Sequence, residues 1–230
     1  MNSGPTLKAL DWQRIKTVLL DMDGTLLDLY FDNYFWQQYL PECWARQRGL
    51  ALDEALEILV PRFRELEGSL PWYCLDFWSN ELQLDVFALK QDIADLICMR
   101  PGAEYFLQQL QQLELRCVLV TNAHQRILDY KLQQTGLDQY LEQTVSAHAF
   151  GKPKEEAGFW PALQAELDFD PASTLLVDDN LHVLSTAQTF GIQHLLGIAQ
   201  PDSRIPARTT AAFPLISDFR QLFAEAPASV

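Results

Sequence analysis

Three short apolar runs in this chain show no polar alternation, and each stops on side chains with chemistry to offer. Thr17-Val18-Leu19-Leu20 leads into Asp21-Met22-Asp23-Gly24-Thr25, Cys117-Val118-Leu119-Val120 into Thr121-Asn122, and Thr174-Leu175-Leu176-Val177 into Asp178-Asp179-Asn180. A β-branched, leucine-rich run of about four residues without alternation reads as a strand covered on both faces, and such strands belong to parallel sheets. Open α/β sheets bind ligands just beyond the carboxyl ends of their strands. If the three strands are neighbours, the carboxylates of Asp21, Asp23, Asp178 and Asp179 and the hydroxyl of Thr121 meet in one cleft. That combination suits a metal ion and a phosphate group.

The chain has 230 residues, 48% of them hydrophobic, enough for a sizeable core in one domain or one domain carrying an insert. Its formal charge is −14, and no basic stripe is present to neutralise a nucleic-acid backbone. An anionic small molecule would have to be drawn in locally, by a metal ion or a lysine. Cys43, Cys74, Cys98 and Cys117 are scattered among apolar neighbours without CxxC spacing. They read as reduced core residues of a cytoplasmic protein. Asp11 comes early and no sustained apolar region precedes it, so no signal peptide is expected, and no apolar run reaches membrane-spanning length.

After the first strand, about Val18 to Leu20, strand pattern does not return until past residue 100. From Leu29 to Ile97 the pattern is helical and rich in aromatics, with clusters at Phe31, Tyr34, Phe35, Trp36 and at Trp72, Tyr73, Phe77, Trp78. Leu56, Leu59, Val60 and Phe63 keep helical spacing; Asp53 is placed to cap that helix, and Pro61 should kink or end it. From Arg100 the rhythm alternates. Pro101-Gly102 opens a helix carrying Phe106, Leu110 and Leu113, a strand covers Arg116 to Val120, and a further helix ends at Gly136. Short strands near Thr144, Leu175 and Leu195 alternate with helices, as in a doubly wound parallel sheet. The expected organisation is α/β: residues 1–28 with 98–230 form the core, and 29–97 form an all-helical insert over the cleft. Glu225 to Val230 should be loose.

Asp21-Met22-Asp23-Gly24-Thr25 carries the strongest signal. An aspartate ending a buried strand can serve as nucleophile or metal ligand. A second aspartate two residues on is redirected beside the first by the turn that Gly24 permits and Thr25 can hydrogen-bond. Carboxylates can work as covalent catalysts through an aspartyl-phosphate.

Asp21 to Leu27 resembles the first motif of the haloacid dehalogenase superfamily of phosphohydrolases. The resemblance implies that Asp21 attacks phosphorus, that Asp23 protonates the leaving oxygen and then activates water, and that the main-chain carbonyl of Asp23 is a metal ligand. Asp23 must carry a proton in the first step, which neighbouring carboxylates would favour. Thr121-Asn122 resembles the second motif, which binds the transferred phosphoryl oxygens. The third motif supplies a lysine, and Lys152 and Lys154 compete for it. The family usually places a large aromatic six residues later; from Lys154 this is Trp160, from Lys152 it is Gly158, which favours Lys154. Asp178-Asp179 resembles the fourth motif, with Asp178 a Mg²⁺ ligand and Asp179 a ligand through water or a partner of the lysine. Many members carry another aspartate four residues after the first; here that position is His182. The resemblance also implies strand order 3-2-1-4-5.

Phe31-Asp32-Asn33-Tyr34-Phe35-Trp36, Trp72-Tyr73-Cys74-Leu75-Asp76-Phe77-Trp78, Thr121-Asn122-Ala123-His124 and Pro201-Asp202-Ser203 resemble bacterial GMP/IMP nucleotidases within that superfamily. This implies a Mg²⁺-dependent 5′-nucleotidase for purine mononucleotides, with aromatics to stack on the base and Asp32, Asn33 and Asp76 to read polar edges. Lys152 departs from that subfamily's pattern, which again points to Lys154. The alternative is a sugar-phosphate phosphatase or a β-phosphoglucomutase-like enzyme. A mutase needs a basic pair in the insert, and only Arg62 and Arg64 offer themselves, both on an expected solvent face. A catalytically idle binding protein fits less well, because every motif position is filled.

Overall fold

The computed structural model describes residues 10–209 and 212–223; the expectation for Glu225 to Val230 lies outside them. After a 3₁₀ turn at Trp12–Arg14 comes β1 (Thr17–Leu20), every residue of which is buried. Helices follow: α1 (Tyr30–Tyr34), running through a π-helical turn at Phe35–Tyr39 into α2 (Leu40–Arg48), then α3 (Leu52–Leu66), α4 (Leu70–Tyr73), α5 (Leu75–Leu82) and α6 (Val86–Gln91). The alternating part comprises α7 (Ala103–Gln112), β2 (Arg116–Thr121), α8 (Gln125–Thr135), β3 (Gln143–Ser146), α9 (Phe159–Leu167), β4 (Thr174–Val177), α10 (Leu181–Phe190), β5 (His194–Ile198) and β6 (Leu215–Ile216). The strands form one sheet in the order β3-β2-β1-β4-β5-β6, and each neighbouring pair is parallel. The expected order holds, with β6 added at one edge. Two residues after Pro214 are too short a run to show a strand period.

The unbroken apolar runs are explained by helices on both faces. Val18 and Leu20 of β1 pack into a cluster with Phe106, Leu107 and Leu110 of α7 and Leu128 of α8. Leu19 points the other way, into a cluster with Phe159, Trp160 and Leu163 of α9 and Val183 and Leu184 of α10. Successive side chains on a strand face opposite sides, so both sets must be apolar.

Between β1 and α7 the elements beyond two isolated β-bridges are helices, and the linkers by which the chain leaves and re-enters run side by side. Asp28 N–H donates to the Cys98 carbonyl at 3.0 Å and Arg100 N–H to the Leu26 carbonyl at 2.9 Å. This segment has its own cluster, including Phe31, Phe35, Leu59, Phe63 and Trp78, which Ile127 of α8 joins. Three local expectations are corrected. The residue preceding α3 is Ala51, not Asp53, and its N–H donates to the Glu54 carboxylate at 2.9 Å. The helix does not end at Pro61 but continues to Leu66. A mid-helix proline costs about 3 kcal/mol, and the burial of Leu59 and Phe63 on either side offsets it. All four cysteines are free thiols, but only Cys117 is buried, and Cys98, on the returning linker, is exposed. Among the described residues, no helix is long and apolar enough to cross a membrane.

Candidate active site

Strand register sets the first contacts. Leu20 stands opposite Val177, so the next residues, Asp21 and Asp178, leave adjacent strands side by side. Asp21 N–H extends the ladder to the Val177 carbonyl at 3.0 Å, and Asp178 N–H does so to the Leu196 carbonyl at 3.1 Å. The chain then turns: Leu26 and Leu27 N–H both reach back to the Met22 carbonyl, at 3.0 and 2.8 Å. Gly24 makes the turn with φ of +83°. A Cβ there would lie 2.7 Å from Asp179 Cγ, so the carboxyl of Asp179 occupies the space glycine leaves. Thr25, fully buried, accepts the Asp179 N–H at 3.0 Å and fixes that residue's backbone. Gly24→Ala is expected to cost about 1–2 kcal/mol in the left-handed backbone alone. Urea unfolding should show a lower midpoint with an unchanged slope.

Lys154 is buried between the two strand-end aspartates. Its Nζ lies 2.6 Å from Asp21 Oδ1 and 2.7 Å from Asp178 Oδ2, and it also donates to the Val120 carbonyl at 3.0 Å. Asn122 receives the Lys154 main-chain N–H at 2.9 Å. Trp160, six residues on, donates from its indole to the Lys154 carbonyl at 3.1 Å. Lys152 is exposed, with its ammonium beside Gly158. Burial disfavours the Lys154 charge, but Asp178 and Asp21 outweigh it and hold its pKa above the usual lysine value.

The acids outnumber the lysine. Asp21, Asp178 and Asp179 each offer an oxygen within 4.8 Å of the others. Burial, then Lys154 opposing it, then Asp21 set the Asp178 pKa, with a net rise to about 7. Burial beside Asp21 and Asp178 raises that of Asp179 well above the carboxylate range. The Asp179 carboxylate accepts no hydrogen bond from the described residues. With all three ionised, three carboxylates against the one ammonium of Lys154 would carry an excess of two negative charges, which a hard divalent cation fits and which, without one, is relieved by proton uptake.

Thr121, at the end of β2, is buried and accepts the Ala123 N–H through Oγ1 at 3.0 Å, which leaves its hydroxyl hydrogen free to donate. The side chain of Asn122 is engaged at both ends: Oδ1 on Lys154, Nδ2 on Glu155 at 2.8 Å. Glu155, which its sequence context gave no reason to single out, also accepts from Asn180 at 3.1 Å and from the Tyr73 hydroxyl at 2.7 Å. It thereby joins α4 to the two strand ends.

Asp23 stands apart from the acidic trio. Its Oδ1 accepts from Lys131 Nζ at 2.6 Å, and Lys131 donates to Asp32 Oδ2 at 2.7 Å. Lys90 donates to the other oxygen of Asp32 at 2.7 Å. Burial pushes the Asp23 pKa up, against the pull of Lys131 and with help from Asp32 and Asp21, to about 6. Burial raises that of Asp32 too, but Lys131 and Lys90 outweigh it and hold the group ionised. The sequence does carry a signal for both lysines: each interrupts the buried stripe of its helix, Lys131 with Ile127, Leu128 and Leu132, Lys90 one turn after Val86. Lys90, 2% exposed, places one buried ammonium in the insert, whereas Lys131 stands on α8 outside it, so the basic pair a mutase would need is not supplied by these two. Arg62 pairs with Glu65 and Glu81 at the surface, and Arg64 is exposed.

These groups open into one cavity of about 530 Å³, with the strand ends on one wall and Asp32, Asn33, Trp36, Trp72 and Tyr73 on the other. Trp36 and Trp72 stack with centroids 5.4 Å apart. Of the three expected edge-readers, Asp32 is held by lysines, Asn33 donates to Asp202 at 2.7 Å, and Asp76 lies outside the cavity on Arg126 and His124. His182 is exposed on α10.

A sequence profile described as haloacid dehalogenase-like hydrolase matches residues 15–191. The chain is 41% identical over 211 residues to GMP/IMP nucleotidase YrfG of Escherichia coli, covering 92% of this chain and 95% of that protein. The backbone superposes on a HAD phosphatase from Thermococcus onnurineus with a TM-score of 0.75 at 22% identity, over 90% of this chain and 96% of that one. A HAD family hydrolase from Deinococcus radiodurans gives a TM-score of 0.59 at 18% identity, over 91% and 93%. At those identities the structural likeness speaks to the fold alone.

Proposed function

The chain belongs to the haloacid dehalogenase-like hydrolases, and we propose that it is a Mg²⁺-dependent 5′-nucleotidase that forms an aspartyl-phosphate on Asp21. The observation that carries this reading is Lys154, seated between Asp21 and Asp178 where adjacent parallel strands end in a cavity. The Asp21 carboxylate bonds to phosphorus as the bond from phosphorus to the ribose oxygen breaks, and Asp23 gives that oxygen its proton. Asp23 then takes a proton from water as the water oxygen bonds to phosphorus, and the bond to Asp21 breaks to release phosphate. Lys154 offsets the charge of the nucleophile and the phosphoryl oxygens, and the Thr121 hydroxyl donates to one of them. Asn122 holds the lysine loop through Oδ1 and gives one amide N–H to Glu155, which leaves its second N–H for a phosphoryl oxygen. Asp21, Asp178, the Asp23 main-chain carbonyl and Asp179 would hold Mg²⁺. The ion supplies positive charge for the phosphoryl oxygens.

Residues 29–97 are read as a cap domain that shields the reaction from water and recognises the leaving group. The relative named a GMP/IMP nucleotidase supports purine mononucleotides as substrates, as does the Trp36–Trp72 pair in the cavity wall. Lys90 and Lys131 are already neutralised by Asp32 and Asp23, so neither offers a free cation for the second phosphate a mutase must hold. A panel of phosphate monoesters with released phosphate measured tests the reading. IMP and GMP should lead, and sugar phosphates leading would replace it with the sugar-phosphatase alternative. Base stacking contributes about 1–3 kcal/mol, so Trp72→Ala should raise KM for GMP about tenfold. KM for p-nitrophenyl phosphate should change less than twofold (~0.4 kcal/mol). Equal changes would remove the tryptophan from base binding.

A further inference from the structure

We infer that Lys131 is the positioning residue for Asp23, and that it ties this aspartate to the helical segment through a chain of four alternating charges in which both lysines are buried. The inference rests on the reading of Asp23 as general acid and base.

The chain runs Asp23, Lys131, Asp32, Lys90. Its members come from the loop after β1, from α8, from α1 and from α6. Lys131 is 1% exposed and Lys90 is 2% exposed. Both ammonium groups lie against the Phe31 ring, at 4.8 and 4.9 Å, and Lys90 also lies 4.3 Å from Phe35. A buried ammonium is tolerated only when paired and hydrogen-bonded. Each member here depends on its neighbours for that. Asp32 uses one oxygen for each lysine, and Lys131 spends one donor on each aspartate.

An apolar residue at 131 would complete the stripe of α8 made by Ile127, Leu128 and Leu132. The lysine breaks it, and its consequence falls on Asp23. Lys131 occupies Oδ1, while Oδ2 accepts no hydrogen bond from the described residues. The carboxyl group lines the cavity and is fixed about its own axis by one short contact. A proton destined for a leaving oxygen therefore sits on Oδ2, because Oδ1 already accepts from an ammonium. The other end of the chain stands on helices of the segment that walls the cavity. Seating of that segment and orientation of the acid are thus one event: without Asp32 alongside, Lys131 loses half of its counter-charge and its hold on Asp23 loosens.

The test separates an acid out of position from general damage. A p-nitrophenolate leaves without a proton, whereas the ribose alkoxide of GMP needs one. kcat/KM reports only the steps up to departure of the leaving group. Lys131→Met should lower kcat/KM for GMP about a hundredfold more than for p-nitrophenyl phosphate, the scale of a general-acid contribution. Asp32→Asn should bias in the same direction by a smaller factor. Lys131→Arg keeps the buried charge but not the reach of the ammonium. It should fold and retain the bias, and it decides the matter if the methionine variant does not fold. Asp23→Asn is the control. If it lacks the leaving-group bias, the reading of Asp23 as acid fails. If it shows the bias while both Lys131 variants lose activity equally on the two substrates, or lose none, the inference about Lys131 is overturned on its own.

Discussion

Asp21→Asn is expected to lower turnover of every phosphate monoester by about 10⁴-fold or more, the scale seen when a covalent nucleophile is removed. The amide matches the carboxylate in size but lacks its negative charge and nucleophilicity. Its oxygen can still accept from Lys154, whose ammonium sits 2.6 Å from Oδ1. The fold should therefore survive. In the metal-free protein the relief of its repulsion with Asp178 and Asp179 opposes the loss of its ion pair with Lys154, so Tm should stay close to wild type. Released-phosphate assays and thermal unfolding of the same sample give both readouts. Loss of activity with a Tm close to wild type supports the nucleophile assignment, whereas loss with a much lower Tm would point to structural damage.

Lys154→Met should have the second-largest effect: about 10²–10³-fold in kcat, as for loss of one preorganised charge donor, together with a marked loss of stability. Lys154 is 2% exposed and holds Asp21 and Asp178 at once. Removing one partner of a buried ion pair costs about 3–5 kcal/mol, since the charges left behind have no compensation. The loss should be smaller at mildly acidic pH, where Asp178, its pKa already near 7, takes up a proton instead. Lys152→Ala provides the contrast. Its side chain lies on the surface beside Gly158, and kcat and Tm should stay at wild-type values. A larger loss from Lys152→Ala than from Lys154→Met would reverse the assignment.

What was legible in the sequence follows from what is local. The runs ending at Leu20, Val120 and Val177 are buried on both faces, and a strand in that setting has no freedom to alternate, so the parallel sheet could be read directly. With the sheet comes its carboxyl edge, and with that edge the meeting of Asp21, Asp178 and Asp179. Trp160 anchoring the carbonyl of Lys154 shows why spacing from an aromatic could choose between two lysines in one loop. Long-range pairing was not legible. Asp32 looked like a residue free to read a substrate, yet both its oxygens are taken by lysines 58 and 99 positions away. Glu155 draws its partners from residues 73, 122 and 180, a convergence that no window of sequence contains. Pro61 shows the opposite case, in which a strong local preference was overridden by the aromatic packing around it.

In the proposed reaction a side-chain oxygen of Asp21 becomes bonded to phosphorus during turnover. The direct measurement is to quench the enzyme in acid while it hydrolyses GMP, reduce it with borohydride and map its peptides by mass spectrometry. An acyl phosphate is reduced to an alcohol, so position 21 should appear as homoserine in the turning-over sample and as aspartate without substrate. Reduction at another carboxylate, or steady turnover with position 21 unmodified, would contradict the account.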